Sequence, residues 1–389
     1  MRLAQTFRAM YRDLTKKEVT SLPSAPPARG RALMGYLNAA VVSKENSRLL
    51  RSGHTNRWEC RNIAHLLSSL DYDVDAINWD DQNFLPSHGY DVHFDIGTNL
   101  VRLGDALPSA YRLLHATGSY PRFSNAAEAR RAEEMERRTG VSYAPRRQVA
   151  EPDLFDRSLE IADRVSLIGN EATLSTFPER FRDKITLVTA SSSTAFIKPP
   201  KALVPPSREF LWFNGAGAVH KGLDLTLEAF RKLPDLRLNV VGNAHEEEDF
   251  MRAYGNDLLH APNITYYGWL RTDGRVFREV MERCCCFISP SCSEGISTSS
   301  ATAMRAGLYP VISRNNGIDL PPDCGAWLED CTAEEIAQKA REVAKMPIGE
   351  LRRQIWECQT TALNRYSREN FAKEMSAYLS AALAEQIKN

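Results

Sequence analysis

Short apolar runs alternate with segments of helical period twice along this 389-residue chain, and a proline-rich stretch, Lys198-Pro-Pro-Lys-Ala-Leu-Val-Pro-Pro-Ser207, separates the two series. Strands that alternate with helices predict parallel sheets joined by crossover helices. A chain of this length also exceeds what one core ordinarily supports. The expectation is an α/β protein of two doubly wound, Rossmann-like domains facing each other, with the proline stretch as linker.

The first series opens with a candidate strand at Leu33–Val42. A Ser52-Gly53-His54-Thr55-Asn56 loop follows, then a helix with Ile63, Leu66, Leu67 and Leu70 at i, i+3, i+4, i+7. Asn56 with Glu59 three residues on reads as a capping box. Residues 126–139 are strongly charged and poorly periodic, and read as a solvated helix. The second series runs through strands at Phe210–Phe213, Leu236–Gly242, Ile264–Leu270, Cys284–Ser289 and Tyr309–Ser313. Thr332 with Glu335 marks a further helix start.

Composition closes off several classes of function. Lys+Arg and Asp+Glu are equal at 49 each, so no broad basic surface argues for nucleic acid. No apolar run reaches the length of a membrane span, and Met1–Lys17 lacks the apolar core and cleavage site of a secretory signal. In that segment Leu3, Phe7, Met10, Tyr11 and Leu14 make an apolar stripe flanked by basic residues. It suits an arm packed on its own domain, the favoured reading, or an interfacial helix on anionic lipid. The eight cysteines include no CxxC pair, and Cys284, Cys285 and Cys286 suit a buried reduced strand. These features predict a cytoplasmic protein, with peripheral contact at the inner membrane face as the variant reading, and no metal site. The acidic runs Asp71–Asp75 and Trp79–Asp81 read as solvent-facing; Trp58 and Trp269 read as core.

In open parallel sheets ligands bind beyond the carboxyl ends of strands, where loops enter helix N-termini. Two loops of the second series qualify. Phe213-Asn-Gly-Ala-Gly-Ala-Val-His-Lys-Gly222 offers small residues for close backbone approach, Gly217 among them, and a point charge at Lys221. It is neither a Rossmann fingerprint nor a P-loop, and a plain tight turn explains it equally well. The second loop, Ser289-Pro-Ser-Cys-Ser-Glu-Gly-Ile-Ser-Thr298, places Glu294 and Gly295 before a hydroxyl-rich helix start. The backbone N–H groups of Ser297 and Thr298 suit an anion there, and an ordinary Ser/Thr cap is the alternative.

Together these loops resemble the family 4 glycosyltransferases of the GT-B fold, densely from Phe210 to about Gly317. The likeness is weaker in the first half, where it runs through the Gly53 loop, Leu114–Gly118 and Ala162–Val165. The resemblance implies that Lys221 holds a nucleotide diphosphate, that Glu294 faces the donor sugar, and that Ser297 and Thr298 meet the distal phosphate. It also implies that His115 reaches the donor sugar, with Gly53, Gly217, Gly295 and Ile296 in the donor pocket. The family's Glu-x7-Glu motif has its second Glu, the ribose ligand, replaced by Thr302, and its usual loop arginine falls at Ala216. A hydroxyl carries no charge and replaces only part of that contact.

The domain division this implies is an N-terminal arm at 1–30, an acceptor-side domain at 31–200, a donor-binding domain at 208–366, and a C-terminal helix at 367–389 crossing back to the first domain. The implied activity is metal-independent transfer of a sugar, with retention, from a UDP- or GDP-linked donor to a glycan or lipid-linked acceptor in cell-surface polysaccharide synthesis. No further cofactor is implied. Ala216 and Thr302 leave open a non-catalytic homologue acting as a partner subunit. A sugar-nucleotide epimerase of the same fold is the other alternative.

Overall fold

The structure, a computed structural model, describes residues 19–44, 47, 50, 55–193 and 208–386. The expected linker at 198–207, the arm up to residue 18, and Gly53 and His54 lie outside the described residues.

Two parallel sheets form the frame. The first has the order β1-β3-β2-β4-β5-β6-β7, made of β1 (Thr20–Leu22), β2 (Gly30–Tyr36), β3 (Tyr72–Asn78), β4 (Val92–Asp95), β5 (Tyr111–Ala116), β6 (Arg164–Ile168) and β7 (Ile185–Val188). Only β1 runs antiparallel, against β3. The second has the order β10-β9-β8-β11-β12-β13 and is parallel throughout: β8 (Glu209–Phe213), β9 (Leu238–Val241), β10 (Ile264–Tyr266), β11 (Cys284–Ser289), β12 (Tyr309–Ser313) and β13 (Ala326–Leu328). Strands covered on both faces read as unbroken apolar runs, and the six residues of β11 are all buried, its three cysteines as free thiols. The fold is therefore α/β with two Rossmann-like domains.

The first strand departs from its expected bounds. β2 ends at Tyr36, paired with Asn78 where β3 also ends, and Asn38–Val41 turns into a short helix that buries Ala40 and Val41. An apolar run alone does not distinguish strand from helix. The expected box at the Asn56–Ser69 helix does not form. Glu59 instead accepts from the backbone N and the Oγ of Ser191, both at 2.7 Å. Thr332 does cap its helix, accepting from Glu335 N at 3.1 Å.

The charged helix, Pro121–Thr139, is solvated along one side only, and its other face buries Glu128, Arg131, Ala132 and Met135. It leaves the first sheet after β5 and lies on the second domain, where Ala132, Met135 and Tyr143 of the following loop join the core of that domain. Its charges are spent across the boundary: Arg138 on Asp224 and Glu228, Arg131 on the Pro290 carbonyl, and Arg146 of the loop on Asp249. Poor apolar periodicity in the sequence reflects a helix held by ion pairs as much as by apolar burial.

At the other end, the Arg368–Gln386 helix returns to the first domain. Phe371, Met375 and Leu379 enter its core beside Trp58, whose ring lies 5.9 Å from that of Phe371. The two sheets are thus tied together by crossings in both directions.

Candidate active site

The carboxyl ends of both sheets face a cleft of about 570 Å³. Its second-domain wall is built from the turns after β8, β9, β10 and β11, where Ala216, Lys221, Gly242, Trp269, Glu294 and Thr298 open onto it. From the opposite side come Tyr36, Glu59, Trp79 and Thr117. A second lobe, beyond Thr117 and Glu294, is lined by Asp95, Thr98, Gln148 and Phe155 among others.

At the centre, Lys221 Nζ donates to Glu294 Oε1. Both side chains keep only about a tenth of their surface, 9% and 11%. Burial alone raises a carboxyl, but the Lys221 ammonium and its hydrogen bond more than offset it, so Glu294 stays below its ordinary value and ionised. Burial pushes Lys221 down, against the pull of Glu294, and Arg147 adds to the downward push. His220 is held neutral, its pKa pushed to about 4 by burial and then by Lys221. It donates from Nε2 to the Ser293 carbonyl at 2.7 Å, which fixes the loop just before Glu294.

First-domain hydroxyls clamp the backbone at the same point. Ser119 Oγ donates to the Glu294 carbonyl at 2.5 Å and Thr173 Oγ1 to the Gly295 carbonyl at 2.9 Å. Gly295 has no room for a side chain, since a Cβ there would lie 2.5 Å from the Ile168 carbonyl and 2.9 Å from Gly118 Cα. The domains therefore touch at the floor of the cleft.

Glu294, Gly295, Lys221, Ile296, Ser297, Thr298 and Thr302 all line one cleft. Their individual contacts differ from expectation. Ser297 N already donates to the Asn316 carbonyl at 3.0 Å, while its Oγ caps the helix by accepting from Ser300 N. Thr298 and Ser299, the first residues of the Thr298–Arg305 helix, line the cleft, and the leading amides of a helix have no partner within it. Thr302 Oγ1 accepts from Ser193 N at 3.4 Å.

Gly217 is a correction. Its amide donates to Glu247 Oε1 at 2.8 Å, and that of Ala218 to the same carboxylate at 3.1 Å. The turn that suggested a phosphate cradle is filled by a buried carboxylate of its own domain. Gly217 sits at φ +88°, and the cleft wall here is formed by Gly215 and Ala216 instead.

His115 is a second correction. It is fully buried in β5 and lines neither lobe. Its ring lies 5.9 Å from that of Tyr36 and 5.5 Å from that of Phe94, with Nδ1 2.8 Å from Ser166 Oγ. Burial drops its pKa to about 3, so the ring is neutral. The residues that reach the cleft after β5 are Thr117–Ser119. Trp269 departs from expectation in the opposite sense. β10 stops at Tyr266, Gly268 turns the chain at φ +67°, and Trp269 stands 56% exposed at the cleft wall.

Three residues to which the sequence assigned no role in the site also face the cleft. Asn214 carries a buried Nδ2 without a partner among the described residues. Arg147 lies between the two lobes. Glu59, pushed up to about 7 by burial, faces from the first domain. Among the described residues no group of three His, Cys, Asp or Glu side chains is arranged to hold a metal ion.

Residues 208–345 match the family model described as Glycosyl transferases group 1. No curated protein matches the sequence. Among solved structures, the chain is similar to sucrose-phosphate synthase from Thermosynechococcus elongatus (TM-score 0.67, 13% identity, covering 91% of this chain and 99% of that one). It is also similar to Anabaena HepE in complex with UDP and glucose (TM-score 0.59, 12% identity, 91% and 100% covered). The N-terminal domain of Candida albicans trehalose-6-phosphate phosphatase aligns at TM-score 0.55 and 10% identity over 89% of this chain and 78% of that one. Identities this low speak for the fold alone. The chain has the two-domain GT-B fold, and its second domain is similar to the glycosyl transferases of group 1.

Proposed function

We propose that this chain is a nucleotide-sugar glycosyltransferase. The observation that carries the reading is the Lys221–Glu294 pair, held at the meeting point of two Rossmann-like domains beside the open start of the Thr298–Arg305 helix. A helix N-terminus and an ammonium are what a leaving nucleoside diphosphate needs for charge compensation. The match over residues 208–345 supports the same assignment.

In this reading the diphosphate lies along Lys221 and the amides of Thr298 and Ser299. The sugar projects toward Glu294, and the acceptor enters from the lobe lined by Asp95 and Phe155. Transfer is metal-independent and retaining: the acceptor hydroxyl attacks the face the diphosphate leaves, and a diphosphate oxygen takes its proton. Glu294 steadies the oxocarbenium-like state, which carries partial positive charge. The donor is UDP- or GDP-linked, and the acceptor is a glycan or lipid-linked saccharide of cell-surface polysaccharide synthesis. HepE, crystallised with UDP and glucose, supports a sugar nucleotide as donor class.

Incubation of the purified chain with UDP- and GDP-sugars, with and without saccharide acceptors, tests the assignment, with NMR reading the anomeric configuration of the product. Release of nucleoside diphosphate with a new glycosidic bond is expected. Nucleotide binding without transfer or hydrolysis would favour a non-catalytic partner subunit instead, a reading that Ala216 and Thr302 motivate.

A further inference from the structure

We infer that Arg147, supplied by the first-domain segment that lies across the second domain, is a ligand of the donor diphosphate and provides the positive charge that position 216 lacks. The inference rests on the donor-site reading above and names a residue that reading did not need.

The electrostatics of the cleft set the demand. A nucleoside diphosphate brings about two negative charges or more, and Lys221 is already neutralised by Glu294. Ala216, on the donor-side wall, has no charge to offer. Among the described residues that line the cleft, the other cation is Arg147, on the first-domain segment. Arg131, Arg138 and Arg146 of that segment are all engaged on second-domain oxygens. Arg147 is different: among the described residues its guanidinium makes no hydrogen bond or ion pair, and it borders both lobes of the cleft beside Glu294.

Its backbone is held in place. Fully buried Glu128 accepts from Arg147 N at 2.9 and 3.0 Å and from Arg146 N at 2.9 Å. Its side chain then crosses Gly217, where a Cβ would come 2.7 Å from Arg147 Cγ. Gly217 thus serves the anion site indirectly, by leaving a channel for the arginine stem. The guanidinium is near enough to Lys221 to depress that ammonium and near enough to Glu294 to help keep it ionised. A planar fork of donors without an internal partner, in a cleft short of positive charge, suits a diphosphate bound by two oxygens.

Calorimetric titration of UDP, GDP, uridine, guanosine and inorganic pyrophosphate into wild type, Arg147→Ala, Arg147→Gln and Lys221→Ala tests this. Arg147→Ala and Arg147→Gln are expected to weaken the preferred nucleoside diphosphate by about 10- to 100-fold, the range for losing a charged hydrogen bond. The matching nucleoside should stay within about twofold. The Gln variant keeps the stem over Gly217, so agreement between the two excludes a packing effect, and unchanged thermal unfolding confirms the fold. If both Arg147 variants bind the diphosphate like wild type while Lys221→Ala loses affinity, the assignment of Arg147 is overturned and the donor reading stands. Equal losses for nucleoside and diphosphate also overturn it. If wild type binds none of the five probes, the donor reading fails, and Arg147's role with it.

Discussion

Replacing Glu294 by Gln separates the two duties the Lys221–Glu294 pair performs. Gln keeps the shape and one acceptor oxygen for Lys221 Nζ, so charge is the main thing lost. Breaking a buried ion pair outright costs about 3–5 kcal/mol. Here both side chains retain about a tenth of their surface and the hydrogen bond to Lys221 survives. The expected loss of stability is therefore only about 1–2 kcal/mol, and the two large cores remain intact. Turnover should fall far more, because the lost charge faced the sugar as positive charge develops. Removing one transition-state contact of this sort costs roughly 2.7–4 kcal/mol, or about 100- to 1000-fold in kcat. Affinity for the nucleoside diphosphate should move the other way or not at all, since Lys221 no longer shares its charge with a carboxylate and the anion meets less repulsion. The screened gain is on the order of 1 kcal/mol. Steady-state kinetics with the preferred donor, beside calorimetry with the nucleoside diphosphate, measures both. Retention of more than half the wild-type rate refutes the role of Glu294, and parallel loss of turnover and diphosphate affinity refutes the division of labour.

Three further expectations follow from the geometry. Glu59 has a folded-state pKa of about 7 against an ordinary 4.5, so the folded form holds its proton more tightly. The stability this contributes is complete below about pH 4.5 and lost as pH rises through 7. The unfolding free energy of Glu59→Gln relative to wild type should therefore improve by up to about 3 kcal/mol between pH 4.5 and 8, and a flat difference across that range refutes the assignment. Gly295→Ala places a methyl against Ile168, Thr117 and Gly118 at the domain contact, so the thermal transition should drop and donor turnover should fall together; a silent variant would show that the domains are not pressed together there. Transfer should persist in EDTA, and loss of activity restored by manganese or magnesium would overturn the metal-independent mechanism.

The alternation of apolar runs was enough to read the α/β class and two domains, because buried parallel strands and crossover helices each leave a local signature. That Glu294, Lys221 and the start of the Thr298–Arg305 helix line a common cleft was legible for the same reason, as they follow strand ends. What the sequence hid were contacts made between distant segments. Glu59 looks like a capping residue until Ser191, far along the chain, competes for it. Gly217 looks like a phosphate cradle until Glu247 takes its amide. Trp269 depends on a single left-handed glycine before it. Arg147 directly follows Arg146, and nothing local distinguishes the engaged arginine from the one without a partner among the described residues.

The segment from Pro121 to about Arg147 also bears on how such a protein can be recombined. A hybrid joined at residues 194–207 would inherit its second domain from one parent and the segment covering that domain from the other. Ala132, Met135 and Tyr143 would then meet a foreign core surface, and Arg138 and Arg146 would face carboxylates that had not been matched to them. With a donor bound as proposed, its preference would not travel with residues 208–345 by themselves. A transplant that carries this side of the cleft intact must take the helix and loop of the first domain as well, so the exchangeable unit is discontinuous in sequence.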